Sequence, residues 1–172
     1  MFLELIAVIF AGIAMAGVVM LINTVIGKIL PRWLAPVAAG LTMIGVTVAS
    51  EYSWYSRTVT GLPEAFVVSE TVESRSFYRP WTYVVPLTER FVAVDLATKQ
   101  SHPDRPEQFL ADVFFFGRWA PVSQLSMVAD CVGGRRAVVG PQASFAKGGE
   151  MRGLDWVTAS EGDPLLKTFC GG

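Results

Sequence analysis

A chain of 172 residues that is 52% hydrophobic, only 17% charged and formally −1 in net charge does not fit a nucleic-acid binder, which needs a concentrated basic surface to release counterions. The charge is also uneven, because residues 1–50 hold Glu4, Lys28 and Arg32 as their only charged side chains. A compositional break near residue 51 therefore separates a segment 1–50 from a segment 51–172 that is long enough to bury a core of its own.

Leu5 to Ile22 is a run of 18 residues without a charge, a side-chain amide or a proline. As a helix it spans about 27 Å, close to the roughly 30 Å of a hydrocarbon core. A second uncharged run goes from Trp33 to Ser50, with Thr42 and Thr47 as its internal hydroxyls. In lipid such runs are expected to be helical, since no water is there to satisfy exposed backbone groups. The predicted spans are about residues 3–26 and 32–50, joined by a loop over residues 27–31, so the helices form an antiparallel hairpin. Pro31 and Pro36 fall at the start of the second helix, where a missing N–H costs least. Trp33 is expected at one membrane interface and Tyr52, Trp54 and Tyr55 at the other. Gly12 and Ala16 in the first helix, and Gly45 and Ala49 in the second, recur four apart and are candidate helix-packing positions.

Lys28 and Arg32 lie in the short loop, and the positive-inside rule places that loop in the cytoplasm. Both termini and residues 51–172 then face outward, into the periplasm of a cell with an inner membrane. A cleaved signal peptide is the weaker alternative. The first residues lack a basic region, and apolar sequence runs straight through Ala14-Met15-Ala16.

Past residue 51, Leu62–Val68, Val72–Tyr83 and Arg90–Leu96 are rich in valine, threonine and aromatics and read as strands. Gln100–Pro106 reads as a polar, proline-punctuated loop. Phe109–Phe116 is apolar on both faces, as a central covered strand should be. Leu125–Val132 alternates, and Gly133-Gly134 permits a two-residue turn before a return strand over Arg135–Val139. Gln142–Arg152 reads as a glycine-containing loop, Trp156–Ala159 as a short strand, and Glu161–Phe169 as a short helix started near Asp163-Pro164. The expected fold is thus a membrane protein: an N-terminal two-helix transmembrane hairpin (1–50) plus a predominantly β (α+β) extracytoplasmic domain (51–172).

Cys131 and Cys170 are the only cysteines, and an even pair on the oxidising side suggests one disulfide. It would close a loop of about 40 residues and tie down Phe169-Cys170-Gly171-Gly172.

The sequence shows no catalytic, metal or nucleotide signature. His102 is the sole histidine and lies in a proline-rich loop, where solvation is its ordinary fate. No second histidine or cysteine cluster completes a zinc or copper site, and neither a nucleophile elbow nor a phosphate-binding glycine loop is present. Asp95, Asp112 and Asp130 sit in three apolar strands and could meet in space, although strand aspartates more often sit at surfaces. No cofactor is expected.

The denser feature is arginine beside aromatics: Arg75, Tyr78, Arg79, Trp81 and Tyr83, and again Arg118-Trp119. These residue types recur at binding hot spots. Together with Phe114, Phe115 and Phe116 they are candidate contacts. The reading expected from these features is a non-catalytic, membrane-anchored interaction protein, an accessory or assembly subunit of an inner-membrane complex. Its partners would be the bilayer and other integral membrane subunits. The alternative is a tethered module that binds or senses a small anionic ligand through Arg79 and Arg118, and an enzyme is the least favoured.

Overall fold

The computed structural model describes residues 2–140, 144–145 and 151–171. The chain divides into two compact units, Met1–Trp54 and Tyr55–Gly172.

The first unit holds α1 (Phe2–Val25) and most of α2 (Leu34–Thr60), two helices long and apolar enough to cross a membrane. The connection between them is set by local chemistry. Gly27 and Lys28 both take positive φ, and Lys28 N–H donates to Asn23 O while Gly27 N–H donates to Thr24 O. That is the Schellman pattern, in which a glycine just past the helix end satisfies carbonyls the helix leaves open. The Asn23 side chain also accepts from Leu30 N–H at 2.9 Å, which ties the returning chain to the end of α1. Inside the helices, Thr24, Thr42 and Thr47 each donate a hydroxyl to the carbonyl four residues earlier, so these three hydroxyls are satisfied within their own helix.

The two helices touch at matched levels. Gly12 is buried, and a Cβ there would come within 2.7 Å of the Met43 side chain. Ser50 Oγ donates to Glu4 Oε1 at 3.1 Å. Gly12 and Ala16 lie on the covered side of α1. Gly45 and Ala49, by contrast, are exposed, and nothing lies within 4 Å of a Cβ built on Gly45. The two small-residue pairs therefore do not meet: α2 turns its own pair away from α1.

Helix α2 does not stop at Ser50, as the charge pattern predicts, but runs on to Thr60. No glycine or proline interrupts residues 51–60, and the helix ends only where Gly61 and Pro63 follow. Tyr55, expected in an interfacial belt, packs its ring edge-on against Phe91 with centroids 5.3 Å apart.

The second unit is built on a six-stranded antiparallel sheet in the order β1-β2-β3-β4-β5-β8. Its strands are β1 (Phe66–Ser74), β2 (Leu87–His102), β3 (Arg105–Gly117), β4 (Ser123–Asp130), β5 (Arg135–Val138) and β8 (Val157–Thr158). A small separate ladder pairs β6 (Ser144–Phe145) with β7 (Met151–Arg152). The rest of the loop expected over Gln142–Arg152, residues 142–143 and 146–150, lies outside the described residues. The C-terminal helix α3 (Pro164–Cys170) follows its predicted start: Asp163 is the N-cap, and its Oδ1 accepts from Leu165 and Leu166 N–H.

Several strand boundaries differ from the sequence reading. Val72–Tyr83 is not one strand. β1 ends at Ser74, and Pro80–Tyr83 is a 3₁₀ turn folded around Thr82. The Thr82 hydroxyl donates to Arg79 O at 2.7 Å and accepts from Ser76 N–H at 3.0 Å, so this polar residue, not its aromatic neighbours, is the buried one. Gln100–Pro106 is not an open loop either. β2 and β3 continue to His102 and Arg105, which pair across a two-residue turn at Pro103-Asp104. The Gly133-Gly134 turn is longer than two residues. Asp130 pairs with Arg135, leaving Cys131–Gly134 as the connection, and only Gly134 takes positive φ. Gly133 is needed for closeness instead, because a Cβ there would lie 2.8 Å from Asp130 Oδ2.

The pleat sorts the side chains. Val92, Val94, Ala111, Val113, Met127 and Ala129 form one face and pack with Leu165 and Phe169 of α3. On the other face Phe91 stacks on Phe116, and Phe66 packs against Phe114. β3, apolar on both faces, lies between β2 and β4 and belongs to both layers. Helix α3 has only seven residues yet packs against β1, β2, β3 and β4. Four flat strands would spread over about 14 Å, more than such a helix covers at about 10 Å, so the sheet curls around it.

Candidate functional site

The curl creates a cavity of about 500 Å³ between the sheet and α3, within the size range of small-ligand sites. Its wall is mainly apolar: Val92, Phe115, Met127, Val138, Val157 and Leu165. Glu70 on β1, Arg136 on β5 and Asp155 before β8 add charge. Arg136 is committed, because its Nη2 lies 3.2 Å from Asp163 Oδ2, the carboxylate that also caps α3. One guanidinium therefore links the sheet to the helix that contributes Leu165 to the cavity wall. Glu70, Arg136 and Asp155 were not singled out in the sequence. They come from elements far apart in the chain, and a lone charge in a strand gives no local sign of what faces it.

At the end of β4 a second polar knot forms. Asp130 is buried; it accepts from Gly133 N–H at 2.8 Å, from Arg135 Nε at 3.0 Å and, at 3.5 Å, from Gln108 Nε2. Burial pushes its carboxyl up, but the Gly133 amide, the Arg135 guanidinium and Gln108 outweigh burial and hold it below the ordinary value. Arg135 in turn sits over the Trp156 ring, 4.6 Å from its centroid. Beside this knot the sulfurs of Cys131 and Cys170 lie at disulfide distance, with their Cα atoms 5.8 Å apart, so α3 is tied to the β4–β5 connection.

The three aspartates each accept hydrogen bonds from their own neighbours. Asp95 and Asp112 are cross-strand partners, but Asp112 accepts from Ser126 Oγ at 2.6 Å and Gln124 Nε2 at 3.0 Å, and Asp95 accepts from Ala97 N–H. Asp130 lies four residues further along β4. His102 is exposed at the β2–β3 turn, where its Nδ1 accepts from Asp104 N–H at 3.2 Å. Among the described residues, no group of three or more histidine, cysteine, aspartate or glutamate side chains could hold a metal ion.

The arginine–aromatic residues occupy one end of the sheet. Ser74 pairs with Leu87, and Gly117 pairs with Arg90, so the β1–β2 connection (75–86) and the β3–β4 connection (118–122) emerge side by side. Arg79 lies over the Tyr78 ring and Arg118 over the Trp119 ring. Tyr78, Trp81, Tyr83 and Trp119 are exposed, as is Arg75. Phe114 and Phe116 engage Phe66 and Phe91 within the domain, while Phe115 lines the cavity on the opposite face. The cavity is thus lined by neither Arg79 nor Arg118. No family model matches the chain, and comparison with curated proteins and with solved structures likewise finds no match.

Proposed function

We propose that this chain is a non-catalytic, membrane-anchored interaction protein, an accessory or assembly subunit of a membrane protein complex. One observation carries the reading. Large apolar side chains, among them Phe10, Ile13, Leu21, Val37, Leu41 and Ile44, are exposed along both N-terminal helices. Water does not tolerate so continuous an apolar surface on a soluble monomer, whereas lipid or partner helices cover it without cost. The outward Gly45 and Ala49 on α2 leave room there for a third helix to approach closely.

Lys28 and Arg32 in the connecting loop support a cytoplasmic position for that end of the hairpin, an orientation that would put the sheet domain on the periplasmic side of an inner membrane. The Cys131–Cys170 pair suits that oxidising side. The cavity under α3 favours no anion, since it offers two carboxylates against one arginine already paired with Asp163. The test is extraction of the tagged native protein in mild detergent, followed by native electrophoresis and mass spectrometry. Co-migration with one large complex at fixed stoichiometry supports the subunit role. Recovery as a small free species removes it.

A further inference from the structure

The end of the sheet that carries the two aromatic connections is unlike the other. There Phe77, Tyr78 and Val84 are 92%, 74% and 83% exposed, and Trp81, Tyr83 and Trp119 join them. At the opposite end the turns Pro103-Asp104 and Cys131–Gly134 expose one large apolar side chain, Val132. Such a concentration of apolar surface marks a site that is covered in the working molecule.

What covers it follows from where the chain enters the domain. Tyr55, the first residue of the sheet unit, packs on Phe91, whose strand partner Phe116 is the next-to-last residue of β3. The covalent entry point is therefore at the aromatic end. Tyr55 lies five residues beyond Ser50, the last residue of the uncharged run, or about 7.5 Å along a helix. The residue types also suit an interface. Tryptophan and tyrosine place an apolar ring and a polar edge at the headgroup level. Residues 73–90 and 117–122 hold four arginines, Arg75, Arg79, Arg90 and Arg118, against Glu73 and Glu89, a sign that complements anionic headgroups.

We propose that this end of the sheet domain, led by Phe77, Tyr78, Trp81, Tyr83, Val84 and Trp119, docks on the lipid–water interface of the bilayer that holds α1 and α2. The inference rests on the reading that those helices sit in a membrane. The short tether keeps the surface close to the lipid, so contacts too weak to bind a free domain suffice to hold it down.

The test is tryptophan quenching in the full-length chain, reconstituted in vesicles of anionic lipid with brominated acyl chains. Single replacements compare Trp81→Phe and Trp119→Phe with Trp156→Phe, which removes the ring beside Arg135 at the opposite end. Removing Trp81 and Trp119 together is expected to lower the quenchable emission about twofold, whereas removing Trp156 leaves it unchanged. If Trp33→Phe lowers quenching while Trp81→Phe and Trp119→Phe do not, the docking proposal is overturned and the membrane anchor stands. If the chain does not incorporate at all, the anchor reading falls and the docking falls with it. Shielding of Trp81 and Trp119 only in a native complex, and not in pure lipid vesicles, overturns lipid docking in favour of a protein partner.

Discussion

The two units of this chain keep their apolar side chains in opposite places. In the sheet domain Phe91, Val94, Val113, Val128 and Phe169 are fully covered, and the buried carboxylates Asp130 and Asp163 are each paired with an arginine. In the hairpin Phe10, Ile13, Leu21 and Leu41 face outward, while a bare glycine, Gly12, lies against Met43. The sheet is held together by the hydrophobic effect, whereas the two helices leave their apolar surface open, which is the feature the proposed membrane anchor accounts for.

The largest effect that tests this contrast is expected in the sheet domain, where stability comes from the fold's own contacts. Replacing Cys131 and Cys170 by serine frees α3, and the chain-entropy model gives a loss of about 4 kcal/mol. Urea unfolding of the full chain in detergent, followed by the sheet signal, measures it. Reductant should destabilise the parent to the level of the double variant and leave that variant unchanged. A parent indifferent to reductant would remove the bond from the account.

Next in size is Ile13→Arg, at a position 64% exposed in the middle of α1. On a water-facing helix this substitution changes stability by less than about 0.5 kcal/mol. At the centre of a bilayer it costs about 3 kcal/mol on insertion scales. The fraction of chain resisting alkaline carbonate extraction separates the two cases. A marked drop sharpens the contrast between the units; an unchanged fraction erases it.

The smallest effect concerns the Asp130 knot. Its folded pKa lies below the ordinary 3.8, so its contribution is complete above that value and is lost as pH falls through the folded pKa. Asp130→Asn should cost about 2 kcal/mol at pH 7, from the lost charge-assisted bonds to Gly133 and Arg135. The parent's urea midpoint should fall towards that of the variant below about pH 4. Two curves that stay parallel through the acid range would show that the carboxylate charge contributes nothing.

The helices and most strands were legible because their signals are local. An uncharged run of 18 residues, the alternation through Leu125–Ala129 and the Asp163-Pro164 start each express one element's period or cap. The misread boundaries were decided by neighbours. Val72–Tyr83 has strand composition throughout, yet the Thr82 hydroxyl takes Ser76 N–H and Arg79 O and folds the second half into a turn. The Gly133-Gly134 pair suggested a tight turn, but the Asp130 carboxylate reaches across the connection to Gly133 and Arg135 and lengthens it. The charge break at Glu51 does not end a helix, because charge alone stops none, and α2 continues to Thr60.

By itself the sequence determined that two long apolar helices precede a strand-rich segment with one cysteine pair, since run length, period and composition are properties of neighbouring residues. The tertiary structure alone decided the curl of the sheet, the cavity bounded by Glu70, Arg136 and Asp155, and the separation of buried Phe91 from exposed Phe77. Those depend on which strands pair and in what register. A shift of one residue would turn every side chain to the other face, and no local window of sequence contains that choice.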